Sequence, residues 1–300
     1  NNTANPFKDG DGEMDVKQRV RNDPEYLKIV EIKAWGNMII KGLYRTFYEC
    51  RNLQKVTATS SPNIDPSVTS VQSLFNRSGV ADISFVRQWD VSNITDFRSM
   101  FDSLDLATLG ASADLSGLDV SSAVTMQYMF YGNTFGGAER SMNLSNWNMP
   151  NLTNARDMFN NNRFLAELNI TGWSTPSLID MSRFAFYAQG LTTIVGIEYL
   201  NTSSTTKMYQ AFYSNTKLNI SLAAFDMSNV TDLRDIFRNT NAISVANYDA
   251  TLISWSNQVL KPNEQTNFGT AKYTLGGAAE AARNTIINTY GWTITDGGGI

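Results

Sequence analysis

The chain has 300 residues, 42% of them hydrophobic and 17% charged, with a formal net charge of −4 and no histidine. So apolar and aromatic a composition excludes an unfolded chain, and the acidic balance leaves no basic stripe to meet a nucleic-acid backbone. Without histidine there is no Ser–His or Cys–His nucleophile pair and no histidine-ligated zinc, and Cys50, standing alone, makes neither an internal disulfide nor a thiolate cluster.

Residues 1–26 are polar and acidic, and Asp9-Gly10-Asp11-Gly12 reads as a turn or linker. It lacks the alternating oxygen ligands and the closing glutamate of a calcium loop. The start, Asn1-Asn2-Thr3, has neither an initiator methionine nor a charged-then-apolar export pattern, and reads as that of a processed chain or a fragment. No apolar run approaches the roughly 20 residues that cross a bilayer, so no membrane span is expected in this chain. Next, Leu27 to Trp35 largely alternates apolar and charged residues, as a half-buried strand does.

From Trp35 onward one unit repeats. Trp89-Asp90-Val91-Ser92-Asn93-Ile94-Thr95-Asp96-Phe97-Arg98-Ser99-Met100-Phe101 returns nearly letter for letter from Phe225 to Phe237. The same frame fits Trp35 to Phe47, Leu118 to Phe130, Trp147 to Phe159 and Leu200 to Phe212. Two copies deviate: one opens on the polar Asn63, and one closes on Ala185 with phenylalanine on either side. The openings recur every 25 to 29 residues, and self-similarity of that period points to a solenoid.

Within the last full frame, Val230, Leu233, Ile236 and Phe237 fall at i, i+3, i+6 and i+7, which predicts a two-turn helix capped by Ser228 or Asn229. Between frames lie minimal strands: Ala81-Asp82-Ile83, Ala113-Asp114-Leu115, Met142-Asn143-Leu144, Leu168-Asn169-Ile170 and Leu218-Asn219-Ile220, with Thr192-Thr193-Ile194 as a looser copy. Their outer residues point inward and the middle one outward. The expected architecture is an α/β solenoid, a leucine-rich-repeat-like array of about eight turns over residues 27–246, with short parallel strands on one side and short helices on the other. Residues 247–300 change pattern. A helix around Tyr248–Trp255, a second over Ala278–Tyr290 closed by Gly291, and a strand at Trp292–Thr295 read as a C-terminal cap.

The frame Trp89-Asp90-Val91-Ser92-Asn93-Ile94-Thr95-Asp96-Phe97, with Met100-Phe101, resembles the repeats of the BspA-like leucine-rich-repeat surface proteins, including the domain of unknown function of mycoplasma lipoproteins and many Bacteroidetes surface proteins. The stretch from Tyr248-Asp249-Ala250-Thr251-Leu252 to Gly291-Trp292-Thr293-Ile294 also resembles the end of those proteins. The resemblance covers residues 27–300. It implies a secreted or cell-surface location, with adhesion as the usual assignment; related modules occur in phage fibres, where the location would be the virion surface. It brings no catalytic residues.

The function expected is non-catalytic recognition of a surface protein or glycan on a host or neighbouring cell. The outward strand positions Asp82, Asp114, Asn143, Asn169, Thr193 and Asn219 are the candidate contacts, because carboxylates and amides offer hydrogen bonds to polar ligands. Tyr131, Tyr187 and Tyr213 form an alternative aromatic set. A receptor-binding fibre part and a spacer rod are the other readings of the array. A glycosidase would draw its carboxylates from Glu139, Glu167 and Glu198, none of which recurs with a partner. No cofactor or metal is expected, and sequons such as Asn93-Ile94-Thr95 follow from the spelling of the repeat.

Overall fold

The computed structural model describes residues 28–37, 39–108 and 112–300. The N-terminal segment 1–26, with its Asp9–Gly12 turn, lies outside them. Short strands run in chain order as β1 (Glu31–Ile32), β2 (Ile39–Ile40), β3 (Lys55–Val56), β4 (Asn63–Ile64), β5 (Ser112–Asp114), β6 (Arg140–Asn143), β7 (Leu165–Asn169) and β8 (Thr193–Val195). Then come helix α1 (Val245–Ser256), β9 (Gln265–Asn267), helix α2 (Ala278–Tyr290) and β10 (Thr293–Thr295). Every strand pairing among the described residues is parallel: β1 with β3, β2 with β4, β9 with β10, and a sheet in the order β5-β6-β7-β8.

Inside that sheet Ala113, Met142, Leu168 and Ile194 stand in one register row and are buried. One inward apolar residue per strand suffices to pin the register, since a slip of one would expose the whole row. The expected strands at Ala81–Ile83 and Leu218–Ile220 keep their buried Ile83 and Leu218 but do not form ladders.

On the opposite side the expected helices are not formed; the segments are runs of turns. Val71, Ser73, Phe75 and Arg77 donate their N–H groups to the carbonyls of Asp96, Arg98, Met100 and Asp102 in the next repeat, at 2.8–3.0 Å. Between them Leu74, Asn76 and Ser78 donate to the carbonyls of Val71, Ser73 and Phe75 three residues back. The same alternation recurs from Phe97 to Ser103 onto Thr125 to Tyr131, and from Met208 to Ser214 onto Asp232 to Arg238. It needs a left-handed residue at every fourth position. Ser73, Ser99, Tyr128, Asp157, Arg183, Gln210 and Asp235 take φ of 52–59°, and Arg77, Ser103, Asn161, Tyr187, Ser214 and Asn239 take 56–62°. Each costs a non-glycine residue roughly 1–2 kcal/mol, offset here because alternate amides reach the neighbouring repeat. Parallel bridges through Ser70, Asp96, Thr125, Asn154, Asp180, Lys207 and Asp232 lead into these turns.

The closing phenylalanines form a column. Phe47, Phe75, Phe101, Phe130 and Phe159 stack with centroids 5.2–6.1 Å apart, and each is buried. At the deviant repeat Ala185 takes the closing position and Phe184 supplies the ring, edge-on to Phe159 and Phe212 at 75° and 76°. Phe212, Phe237 and Phe268 carry the column to the C-terminal region. Each such side chain contributes roughly 1.5–3 kcal/mol by leaving water. Over the polar opening at Asn63, Trp35 reaches past to Trp89 at 5.1 Å. Trp147 and Trp173 stack at 5.8 Å, and their Nε1 atoms donate to the carbonyls of Leu115 and Leu144.

Buried polar side chains serve this backbone. Asn133 Oδ1 accepts the Leu104 N–H, Asn162 Oδ1 accepts the Asn133 N–H, and Asn162 Nδ2 donates to the Phe130 carbonyl. At the far end α1 packs on α2, with Gly291 closing α2 at φ 71°. The buried Asp296 carboxylate joins them, accepting from Tyr248 Oη and Arg283 Nε at 2.7 Å each.

Candidate functional site

Of the strand-side residues expected to contact a ligand, Asp82, Asp114, Asn143 and Asn169 are engaged with their own loops. Asp82 Oδ1 accepts the Ser84 N–H at 2.8 Å. Asp114 Oδ1 accepts from both the N–H and the Oγ of Ser116, and Arg87 reaches its Oδ2 at 3.2 Å. Asn143 Oδ1 accepts the Ser145 N–H while its Nδ2 donates to Asp114 Oδ1 at 3.1 Å. Asn169 accepts the Thr171 N–H, and Asn219 accepts the Ser244 N–H and Asn247 Nδ2. The first four are Asx turns, in which a side-chain oxygen takes the place of a backbone acceptor, whereas Asn219 reaches across to the start of α1.

Asp114, Asn143 and Asn169 do share a row, but Thr193 does not belong to it: Val195 stands opposite Asn169, and Thr193 stands opposite Glu167. Burying Ile194 beside Leu168 sets that register, two residues away from the alignment read in the sequence. Of the carboxylates weighed for hydrolysis, Glu139 pairs with Lys217 at 2.7 Å, Glu167 lies on β7, and Glu198 lies in a 3-10 turn at Ile197–Tyr199. The Cys50 thiol is buried, which pushes its pKa up to about 12 and leaves it without thiolate character at neutral pH. Among the described residues no group of three potential metal ligands gathers, and no described helix is long and apolar enough to cross a membrane.

The turn side is different. Most of its backbone is satisfied by the alternating bonds between repeats, and side chains are needed at one position per repeat, where Asp96, Asn154, Asp180 and Asp232 accept the N–H two residues on. Phe186 stacks on Tyr213 with centroids 4.9 Å apart, Tyr187 lies 5.9 Å from Tyr213, and Tyr128 meets Tyr131 edge-on at 5.7 Å. The three tyrosines singled out in the sequence thus share this face, two of them in contact. Three hydrogen-bonded arginine–aspartate clusters lie on it too, beside a looser Arg238–Asp235 pair at 3.6 Å. Arg98 forks onto Asp96 through Nε and Nη2 at 2.9 and 2.7 Å, and Arg234 forks onto Asp232 at 2.9 and 3.0 Å.

The third cluster breaks that pairing. Tyr128, Asp157 and Arg183 occupy the same left-handed position in three successive repeats. Asp157, fully buried, accepts from Arg183 Nε at 2.6 Å, from Asn160 Nδ2 at 2.6 Å and from Arg156 Nε at 3.3 Å. Arg183 lies over the Phe186 ring, 5.4 Å from its centroid. Burial and then the Asp157 charge raise the Tyr128 pKa, so its phenol stays protonated and able to donate. Nothing in the linear pattern points to this cluster: the two arginines stand at different frame positions, 27 residues apart, and converge only when repeats stack.

The pattern of the family described as Mycoplasma protein of unknown function, DUF285, matches residues 41–169, 69–195 and 157–273. The chain belongs to that family. No curated protein matches, and no solved structure matches.

Proposed function

We propose that the chain is a non-catalytic recognition module, a BspA-like solenoid of the leucine-rich-repeat kind displayed outside the cell, that binds a glycan or protein on another cell's surface. Two features support the solenoid reading, namely the phenylalanine column from Phe47 to Phe268 and the amide-to-carbonyl bonds that tie each repeat to the next. The observation that carries the functional reading is the turn side's set of half-buried tyrosines and arginines, which lies away from the capping positions and has the composition that dominates binding energy at interfaces. The contact surface is therefore the turn side rather than the strand-side stripe, whose oxygens hold their own loops.

The test is saturable binding of the labelled chain to intact host cells and to a glycan array. Saturable binding to either supports the reading. Binding to neither would leave a spacer rod, and release of reducing ends from a polysaccharide panel would replace recognition with hydrolysis.

A further inference from the structure

The Arg156–Asp157–Arg183 cluster holds a charge that the protein does not neutralise. Two guanidinium groups share one carboxylate, so one positive charge is left over. Both use only Nε on Asp157, and among the described residues neither has a second carboxylate in range or another hydrogen bond. The outer nitrogens of both forks are thus uncommitted. The two sister clusters on the same face commit both Nε and Nη2 of their arginine to one carboxylate, which cancels the charge.

The uncommitted fork is also preorganised. Asp157 is fully buried and anchored by Asn160, Arg183 is braced on the Phe186 ring, and the inter-repeat bonds Tyr128 N–H to Arg156 O and Asp157 N–H to Ser182 O fix the backbone beneath. Planar guanidinium forks match the two oxygens of a carboxylate, and a fork already held in place loses little freedom on binding.

We infer that Arg156 and Arg183 form a binding site for the carboxylate of an acidic sugar, with the Tyr131 phenol beside it to meet a hydroxyl group. The site spans three repeats, which at strand spacing is on the order of 10 Å, the reach of one or two sugar units. A protein partner would need about 800 Å² of contact with an apolar centre, whereas this centre is charged. The inference rests on the recognition reading above and names its ligand.

The experiment measures binding by calorimetry of a hexuronate-terminated oligosaccharide, its uncharged hexose counterpart and a glutamate-rich peptide. The expected result is a preference of at least about tenfold for the hexuronate over both others. Arg156→Ala leaves Asp157 paired with Arg183 and Asn160, so the variant keeps its fold while the spare charge disappears. It should lose about tenfold or more in affinity, with an unchanged melting temperature. Arg234→Ala, which breaks a neutral fork elsewhere on the face, should bind as the original chain does. Equal binding of charged and uncharged sugars, an unaffected Arg156→Ala variant, or the peptide binding as tightly as the sugar would each overturn the inference. A chain that binds cells but ignores the hexuronate defeats the ligand assignment alone, while one that binds no surface defeats the recognition reading as well.

Discussion

The two sides of each repeat solve the same backbone problem in different proportions. On the strand side the loops that leave the sheet have unpaired N–H groups, and side chains such as Asp114, Asn143 and Asn169 turn back to accept them. On the turn side most of the backbone pairs with itself, one amide to the next repeat and one to the turn, at the cost of left-handed residues, and a side chain such as Asp96, Asn154 or Asp180 takes only the amide two residues on. The lesson is about where function has room. Side chains that cap loops cannot change without loosening the repeat, whereas those over a self-satisfied backbone can vary from repeat to repeat. The left-handed row does vary, from Ser99 through Tyr128, Asp157 and Arg183 to Gln210.

Both sides hang on the shared phenylalanine column, so its loss should be the largest effect. Phe130→Ala, between Phe101 and Phe159, is expected to cost about 3–5 kcal/mol of unfolding free energy. Denaturant melts would show it, and a cost below about 1 kcal/mol would mean that the column is not the common core. Next comes a contrast within the turn side. Asp157→Ala strands two guanidinium groups and should cost about 2–3 kcal/mol, at the low end for buried pairs because both arginines are partly exposed. Asp232→Ala, at an exposed fork, should cost about 0–1 kcal/mol. Equal costs would remove the distinction between a built cluster and ordinary surface pairs. On the strand side Asn143→Ala should cost about 0.5–1.5 kcal/mol through its lost turn and leave ligand binding untouched.

Acid should separate the carboxylates by sign. The hydroxyl and then the N–H of Ser116 hold Asp114 below the usual carboxylate range, as Ser92 does for Asp90. Their folded pKa values are depressed, so their contribution is present above the unfolded value near 3.9 and fades as pH falls through the lower folded values. Asp102 is the reverse: burial outweighs the bonds from Ser103 and Ser99 and raises its pKa. It costs stability at neutral pH, and that cost is relieved as pH falls through the raised value. Asp102→Asn should therefore be neutral or slightly stabilising at pH 7, while the chain as a whole loses stability below about pH 4. A destabilised Asp102→Asn variant at pH 7 would reverse that assignment.

Much of this arrangement can be read in the sequence. Apolar residues at a fixed spacing must face a common interior, and Trp89, Phe101, Trp147, Phe159 and Phe237 do. The α2 boundaries follow from the alanine-rich run and Gly291. The turn side differs from the expected helix because Val230, Leu233, Ile236 and Phe237 bury one face whether the chain winds as a helix or as successive turns. What separates the two is the left-handed backbone at Asp235, and an aspartate, arginine or tyrosine in that conformation bears no glycine signature. The position of Thr193 escapes the sequence for a related reason, since the four successive β-branched residues Thr192 to Val195 offer two registers and only the burial of Ile194 chooses. The Arg156–Asp157–Arg183 convergence depends on stacking across repeats, which a single linear frame does not display.

The division of labour between the sides comes down to one pair of variants in a single assay: the affinity of Arg156→Ala and of Asn143→Ala for the hexuronate-terminated oligosaccharide. The account predicts a loss of about tenfold or more for Arg156→Ala and none for Asn143→Ala. Full affinity in Arg156→Ala together with a loss in Asn143→Ala would place recognition on the strand side and contradict it.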